Sequence, residues 1–86
     1  MDTMYFISFN STHHSMRLDK ILRDNNINIK TIPTPREVTS SCGLSIVFNI
    51  EDLEKIKQKI EEFEIDYFGI FKMEKTKDGK RIITKL

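Results

Sequence analysis

The residues of this 86-residue chain best equipped for chemistry lie in one stretch, Thr31-Ile-Pro-Thr-Pro-Arg-Glu-Val-Thr-Ser-Ser-Cys-Gly43. It holds the only cysteine and both prolines. The thiolate is the nucleophilic form of a cysteine, and nearby cations, unpaired backbone N–H groups and helix N-termini favour it. Arg36 offers a cation in the same stretch, and Gly43 lets the backbone turn sharply or approach another group closely. A free cysteine is often a buried, inert small hydrophobe, but Cys42 follows Thr-Ser-Ser in a polar connector, which predicts an exposed, reactive thiol. His13 and His14 are the second candidates. An adjacent pair at a helix start points two ways, so at most one is expected to face Cys42. A Cys–His nucleophile pair is open to this geometry, with Glu37 or Asp19 as the acidic orienting partner. A metal site would need three or four ligands at recognisable spacing, and one Cys with two His falls short. Arg36 could hold an anion or pair with Glu37 at the surface.

The connector itself reads as built. Hairpin loops commonly take about two to five residues, and longer ones are often functional; this one runs from Pro33 to about Cys42. Thr34-Pro35-Arg36-Glu37 has the form of a capping box, with Thr34 as cap, Pro35 supplying the fixed φ of the first helical position and Glu37 reaching back to the cap amide. A short helical turn held this way would deliver Cys42 to a defined place.

The elements that must position these residues follow in order. Met4 to Phe9 is short, aromatic and β-branched enough for a first strand. Asn10-Ser11-Thr12 is a cluster of capping residues where a helix should start. His14, Leu18, Ile21, Leu22 and Asn25 share one face of it, with Ser15 beside them. Asp24-Asn25-Asn26 stops the helix, and Ile27 to Ile32 makes a second strand. Leu44 to Phe48 is a third strand. Asn49 or a neighbour caps a second helix whose stripe is Leu53, Ile56, Ile60 and Phe63, its outer face a solvated Glu/Lys surface. Tyr67 to about Lys75 is a fourth strand, and the Asp78-Gly79 turn predicts a last strand at about Lys80 to Lys85. The expected fold is α+β: a ferredoxin-like βαββαβ sandwich, with an antiparallel sheet, two helices on one face and an extra C-terminal edge strand. Strands 1 and 3 then lie side by side, antiparallel. That topology brings Ser11, Thr12, His13 and His14 to the same sheet edge as Cys42.

Composition bounds the rest. Residues 1–86 make a single domain, large enough to bury a modest core without disulfides or metals. Hydrophobic residues at 38% and charged residues at 31% describe an ordinary globular protein. A net charge of +1 gives no push toward nucleic acid or membrane. One cysteine cannot close an internal disulfide. Met1-Asp2-Thr3-Met4 lacks the basic and apolar regions of a signal peptide, and no apolar run nears the roughly 20 residues of a membrane span. A cytoplasmic location is the expectation. The aromatic strand residues exceed what one helix-covered face needs, which suggests a homodimer through the open face. RNA binding there would use stacking aromatics, but Leu44 to Phe48 lacks the glycine-and-aromatic signature, and no nucleic-acid partner is expected.

Two blocks carry a family resemblance. One is the aromatic strand leading into Phe9-Asn10-Ser11-Thr12-His13-His14 and its amphipathic helix. The other is Ile32-Pro-Thr-Pro-Arg-Glu-Val-Thr-Ser-Ser-Cys-Gly43. Together they resemble the small bacterial family described as putative selenium/sulfur carrier protein-like. Ser15 and Asp19 depart mildly from its pattern. The resemblance implies that Cys42 is the carrier thiol, holding sulfur or selenium as a persulfide or selenopersulfide. Arg36, Gly43, Thr12, His13, His14 and Pro35 would support it, and donor and acceptor proteins would be the partners. Such a protein is a carrier rather than a turnover enzyme and needs no cofactor. Two other readings stay open on the residues alone: a non-catalytic interaction or ligand-binding module, and a metal-handling protein using Cys42 with His13 or His14.

Overall fold

The computed structural model describes residues 3–86; the signal-peptide reading of Met1 and Asp2 lies outside the described residues. Five strands, β1 (Thr3–Ser8), β2 (Ile29–Pro33), β3 (Leu44–Phe48), β4 (Gly69–Lys75) and β5 (Arg81–Lys85), form one antiparallel sheet in the order β2-β3-β1-β4-β5. Helices α1 (Thr12–Asp24) and α2 (Leu53–Glu62) complete an α+β architecture. The strong period-2 and period-3.6 patterns decide which side chains go inward. Ile7, Ile46, Phe48 and Ile70 from the sheet, with Phe9 just past the end of β1, share one core with Leu18 and Leu22 of α1 and Ile56 and Ile60 of α2. Both helices therefore cover the same face.

Each helix ends in the same way, and the endings move the expected boundaries. Asn26 (φ 59°) and Glu64 (φ 52°) are left-handed. The Asn26 amide bonds the Arg23 carbonyl and the Ile27 amide the Leu22 carbonyl; Glu64 and Ile65 repeat this on Glu61 and Ile60. These are Schellman closures, with the apolar residue after the left-handed one folded back onto the last turn. Ile27 thus belongs to a helix terminus, and β2 begins at Ile29 rather than Ile27. The helix starts also differ from expectation. Ser11 caps α1 without a side-chain hydrogen bond, and a 3₁₀ turn, Ile50–Asp52, separates Asn49 from α2. β4 starts at Gly69, because Phe68 donates its amide to Ser8 just outside the ladder and Tyr67 stays exposed.

The opposite sheet face is not bare. Phe6 and Phe71 stack with ring centroids 5.4 Å apart, and Val38 from the β2–β3 connector buries itself on them. Met4, Val47, Phe68, Met73 and Ile83 surround this second, smaller cluster. The connector crosses β3, β1 and β4 to reach β5, where Glu37 receives both Arg81 Nε (3.0 Å) and Arg81 Nη2 (2.7 Å). The expected capping box does not form. Pro35 and Val38 close a turn instead, with the Val38 amide on the Pro35 carbonyl at 3.0 Å. Burying Val38 and pairing Arg81 competes with the reach of Glu37 back to the cap amide, and apolar burial outweighs one exposed capping bond.

Candidate functional site

After crossing the outer face, the connector turns around the sheet edge and enters the helix-side core at Cys42. The Cys42 amide bonds the Phe9 carbonyl at 3.1 Å, and the Thr34 amide bonds the Gly43 carbonyl at 2.9 Å. The Cys42 carbonyl accepts from Thr34 Oγ1 (3.1 Å) and Ser40 Oγ (3.2 Å). The backbone on both sides of the sulfur is thereby tied down. Beneath it, Ser8 Oγ and Ser45 Oγ, facing each other in the β1–β3 register and both fully buried, lie 3.0 Å apart. Ser45 Oγ is also 2.8 Å from Thr34 Oγ1. Since Thr34 spends its proton on the Cys42 carbonyl, Ser45 donates to Thr34 and Ser8 donates to Ser45. The chain runs one way, from the sheet to the cysteine.

The sulfur sits at the leading end of α1. The Leu44 amide points at Sγ from 3.4 Å, Thr12 Oγ1 lies at 3.6 Å and Ser15 Oγ at 3.9 Å. Ser15 meanwhile donates to the Thr12 carbonyl at 3.0 Å. In the neutral state the thiol donates to Ser15; on ionisation that hydroxyl can swing its proton onto sulfur. Burial pushes the Cys42 thiol up, but the Leu44 amide, then the Thr12 and Ser15 hydroxyls, outweigh it and hold the thiol below its ordinary value. The positive end of the α1 macrodipole acts in the same direction.

The exposure expected for Cys42 is not found: the residue is 2% accessible and belongs to the main core. The polar tripeptide Thr39-Ser-Ser41 does face solvent in large part, but the sheet edge reverses the chain direction immediately after it. Thr12 meets the sulfur as its placement at the sheet edge suggested. Gly43 is exposed, and a side chain there would meet open space, so it supplies backbone rather than close approach. Pro35 is buried at the turn, and Arg36 is exposed with no hydrogen bond or ion pair to the sulfur. His13 is exposed on α1. His14 is half-buried and spends Nδ1 accepting the Asp66 amide at 3.1 Å, holding the α2–β4 connection. Neither histidine is hydrogen-bonded to Cys42. Glu37 and Asp19 are engaged elsewhere, by Arg81 and by Arg23 and Thr31. Among the described residues no three His, Cys, Asp or Glu side chains gather as metal ligands, and no helix is long and apolar enough to cross a membrane.

Ser8, Ser45, Val38 and Arg81 matter more to the site than the sequence reading allowed. The available signal was serine in step with Phe6 and Val47, on the outer face of two apolar strands, where a lone hydroxyl that becomes covered needs a partner.

What the fold and site define is a small α+β protein whose single thiol is held among hydrogen-bond donors at a helix N-terminus. The family described as putative Se/S carrier protein-like matches residues 4–72, and the chain belongs to it. No curated protein and no solved structure matches the chain.

Proposed function

We propose that this protein is a sulfur or selenium carrier, built on a ferredoxin-like frame, that holds the chalcogen as a persulfide-type group on Cys42. The observation that carries this reading is the sulfur's setting: one backbone amide and two hydroxyls converge on it at the start of α1. Those donors stabilise a thiolate, and they would equally stabilise an anionic persulfide. Family membership supports the same assignment. In the transfer, the Cys42 thiolate attacks the outer sulfur of a donor protein's persulfide. A new S–S bond forms, the donor's S–S bond breaks, and the donor cysteine leaves as its thiolate. One neutral sulfur atom moves and no external oxidant is consumed. An acceptor thiolate reverses these roles. Partners are accordingly donor and acceptor proteins, such as a cysteine desulfurase on the donor side, and the expected compartment is the cytoplasm. No resolving cysteine is required for such a relay.

The test is incubation with a cysteine desulfurase and cysteine, followed by intact-mass measurement. The expected result is a gain of one sulfur atom, absent in Cys42→Ser. Equal gain in the variant, or none in either, rejects the proposal.

A second reading is favoured by one specific observation, the 2% accessibility of Cys42. In it, the cysteine is a packed core residue and the chain is a binding module, without a carried atom. Partner binding would then survive Cys42→Ser unchanged, and Cys42 would stay unreactive toward alkylating reagents until the protein unfolds.

A further inference from the structure

Three groups meet the Cys42 sulfur: the Leu44 amide, Ser15 Oγ and Thr12 Oγ1. The first two are fixed. Leu44 opens β3 and pairs with Pro33, and Ser15 is buried with its hydroxyl on the Thr12 carbonyl. Thr12 is held differently. It is the first residue of α1 and is exposed, yet its hydroxyl touches the sulfur of a residue that is 2% accessible. Its side chain therefore has solvent on one side and the thiol on the other. Among the described residues that sulfur is the only hydrogen-bond partner of the Thr12 side chain. Gly43, the residue after the cysteine, is exposed and has open space where a side chain would stand. Exposed side chains change rotamer in picoseconds to nanoseconds. Thr12 can thus leave the sulfur by turning about its own Cα–Cβ bond, with no backbone bond broken.

We infer that Thr12 is a positioning residue for this thiol in two separable ways: its bulk closes the approach to Cys42 from solvent, and its hydroxyl holds the sulfur's charge once the thiol ionises. One hydrogen bond keeps the closed rotamer, and the net worth of such a bond favours it only about two- to twelvefold over open ones. The thiol is therefore reached for part of the time by a native fluctuation, without unfolding. The room left by the turned side chain is where a second sulfur, bonded about 2 Å from Sγ, would stand. The use of this opening in chalcogen transfer rests on the carrier reading; the covering and the charge stabilisation do not. Alkylation reads the thiol itself, whereas the desulfurase mass gain reads cargo. Absence of that gain in the unaltered chain would reject the carrier and leave the alkylation result standing, so the two can fail separately.

The experiment is the pH dependence of Cys42 alkylation by iodoacetamide, on the full chain and on three variants of Thr12. Each profile gives a half-maximal pH and a plateau rate at high pH, where all of the thiol is ionised. Thr12→Val keeps the shape and loses the hydroxyl, so its half-maximal pH moves up while the cover stays. Thr12→Ala loses both. Its half-maximal pH moves up as well, and its plateau exceeds that of Thr12→Val by about three- to tenfold. A raised thiol pKa increases intrinsic nucleophilicity in both variants alike, so the comparison between them reads the cover alone. Thr12→Ser restores the hydroxyl and should return the half-maximal pH to that of the unaltered chain. Glu62→Gln, which loses an exposed pair with Lys59 on α2, should change neither quantity. Equal plateaus for Thr12→Ala and Thr12→Val overturn the covering role. A half-maximal pH unmoved in Thr12→Val, or not restored in Thr12→Ser, overturns the charge-holding role. Thr12 is exposed, so the variants are expected to fold, and urea unfolding of each checks it. A rate in the unaltered chain that climbs with urea as steeply as global unfolding also overturns the covering role, since the thiol then opens only by unfolding.

Discussion

The hydroxyl chain beneath the β2–β3 connector couples the costs of removing its members. Ser8 donates to Ser45, Ser45 to Thr34 and Thr34 to the Cys42 carbonyl. Ser45→Ala breaks the first two bonds at once. Thr34 keeps its acceptor and is only half-buried, so water can serve its free lone pair. Ser8 is fully buried and loses its only side-chain acceptor among the described residues. Leaving a buried donor unmatched costs about 1–3 kcal/mol, against about 0.5–1.5 for an ordinary hydrogen bond. Ser8→Ala should therefore cost about 1 kcal/mol, since Ser45 still has Thr34 to donate to. Ser45→Ala should cost about 2 kcal/mol. The double variant has no orphan hydroxyl and should cost no more than Ser45→Ala alone. A domain of this length has on the order of 4–13 kcal/mol of stability, so all three remain folded for measurement. Urea unfolding at constant m-value gives the three free energies. If the double variant's cost equals the sum of the singles within about 0.5 kcal/mol, the hydroxyls act independently and the directional chain is wrong.

Two further outcomes are expected. Because the folded Cys42 thiol lies below the ordinary 9.0, the unfolded chain holds the proton over the interval between those values while the native state does not. Stability relative to Cys42→Ser should thus rise with pH through that interval, be fully present above 9.0, and vanish as pH falls below the folded value; a flat difference in urea midpoints across pH would contradict the donor arrangement. Gly69→Ala places a methyl 2.8 Å from Phe71 Cζ, on a ring locked between Phe6 and Phe68, and should lower stability by about 1–3 kcal/mol in the same assay.

Much of the frame was legible because it depends on local periodicity. The stripes Leu18/Leu22 and Ile56/Ile60, the alternating strands and the Asp78-Gly79 turn all signal their own conformations. Element ends were less so. Glu64 in a left-handed conformation has no sequence mark, as its energetic cost is recovered by folding Ile65 onto Ile60. The connector misled most, since a capping box at Thr34–Glu37 and an exposed cysteine are both reasonable when only neighbours are considered.

By itself, then, the order of residues determined which segments are strands and helices and that Cys42 would lie near the start of α1. Those follow from interactions within a few residues and from the pairing of β1 with β3. Only the tertiary structure decided that Val38 is swallowed by the outer face, that Glu37 belongs to Arg81, and that the thiol is both shielded and surrounded by donors. Each of those depends on partners 30 or more positions away, Val38 on Phe6, Glu37 on Arg81, Cys42 on Thr12. Apolar burial across such distances overrides the weaker, local preference for a cap.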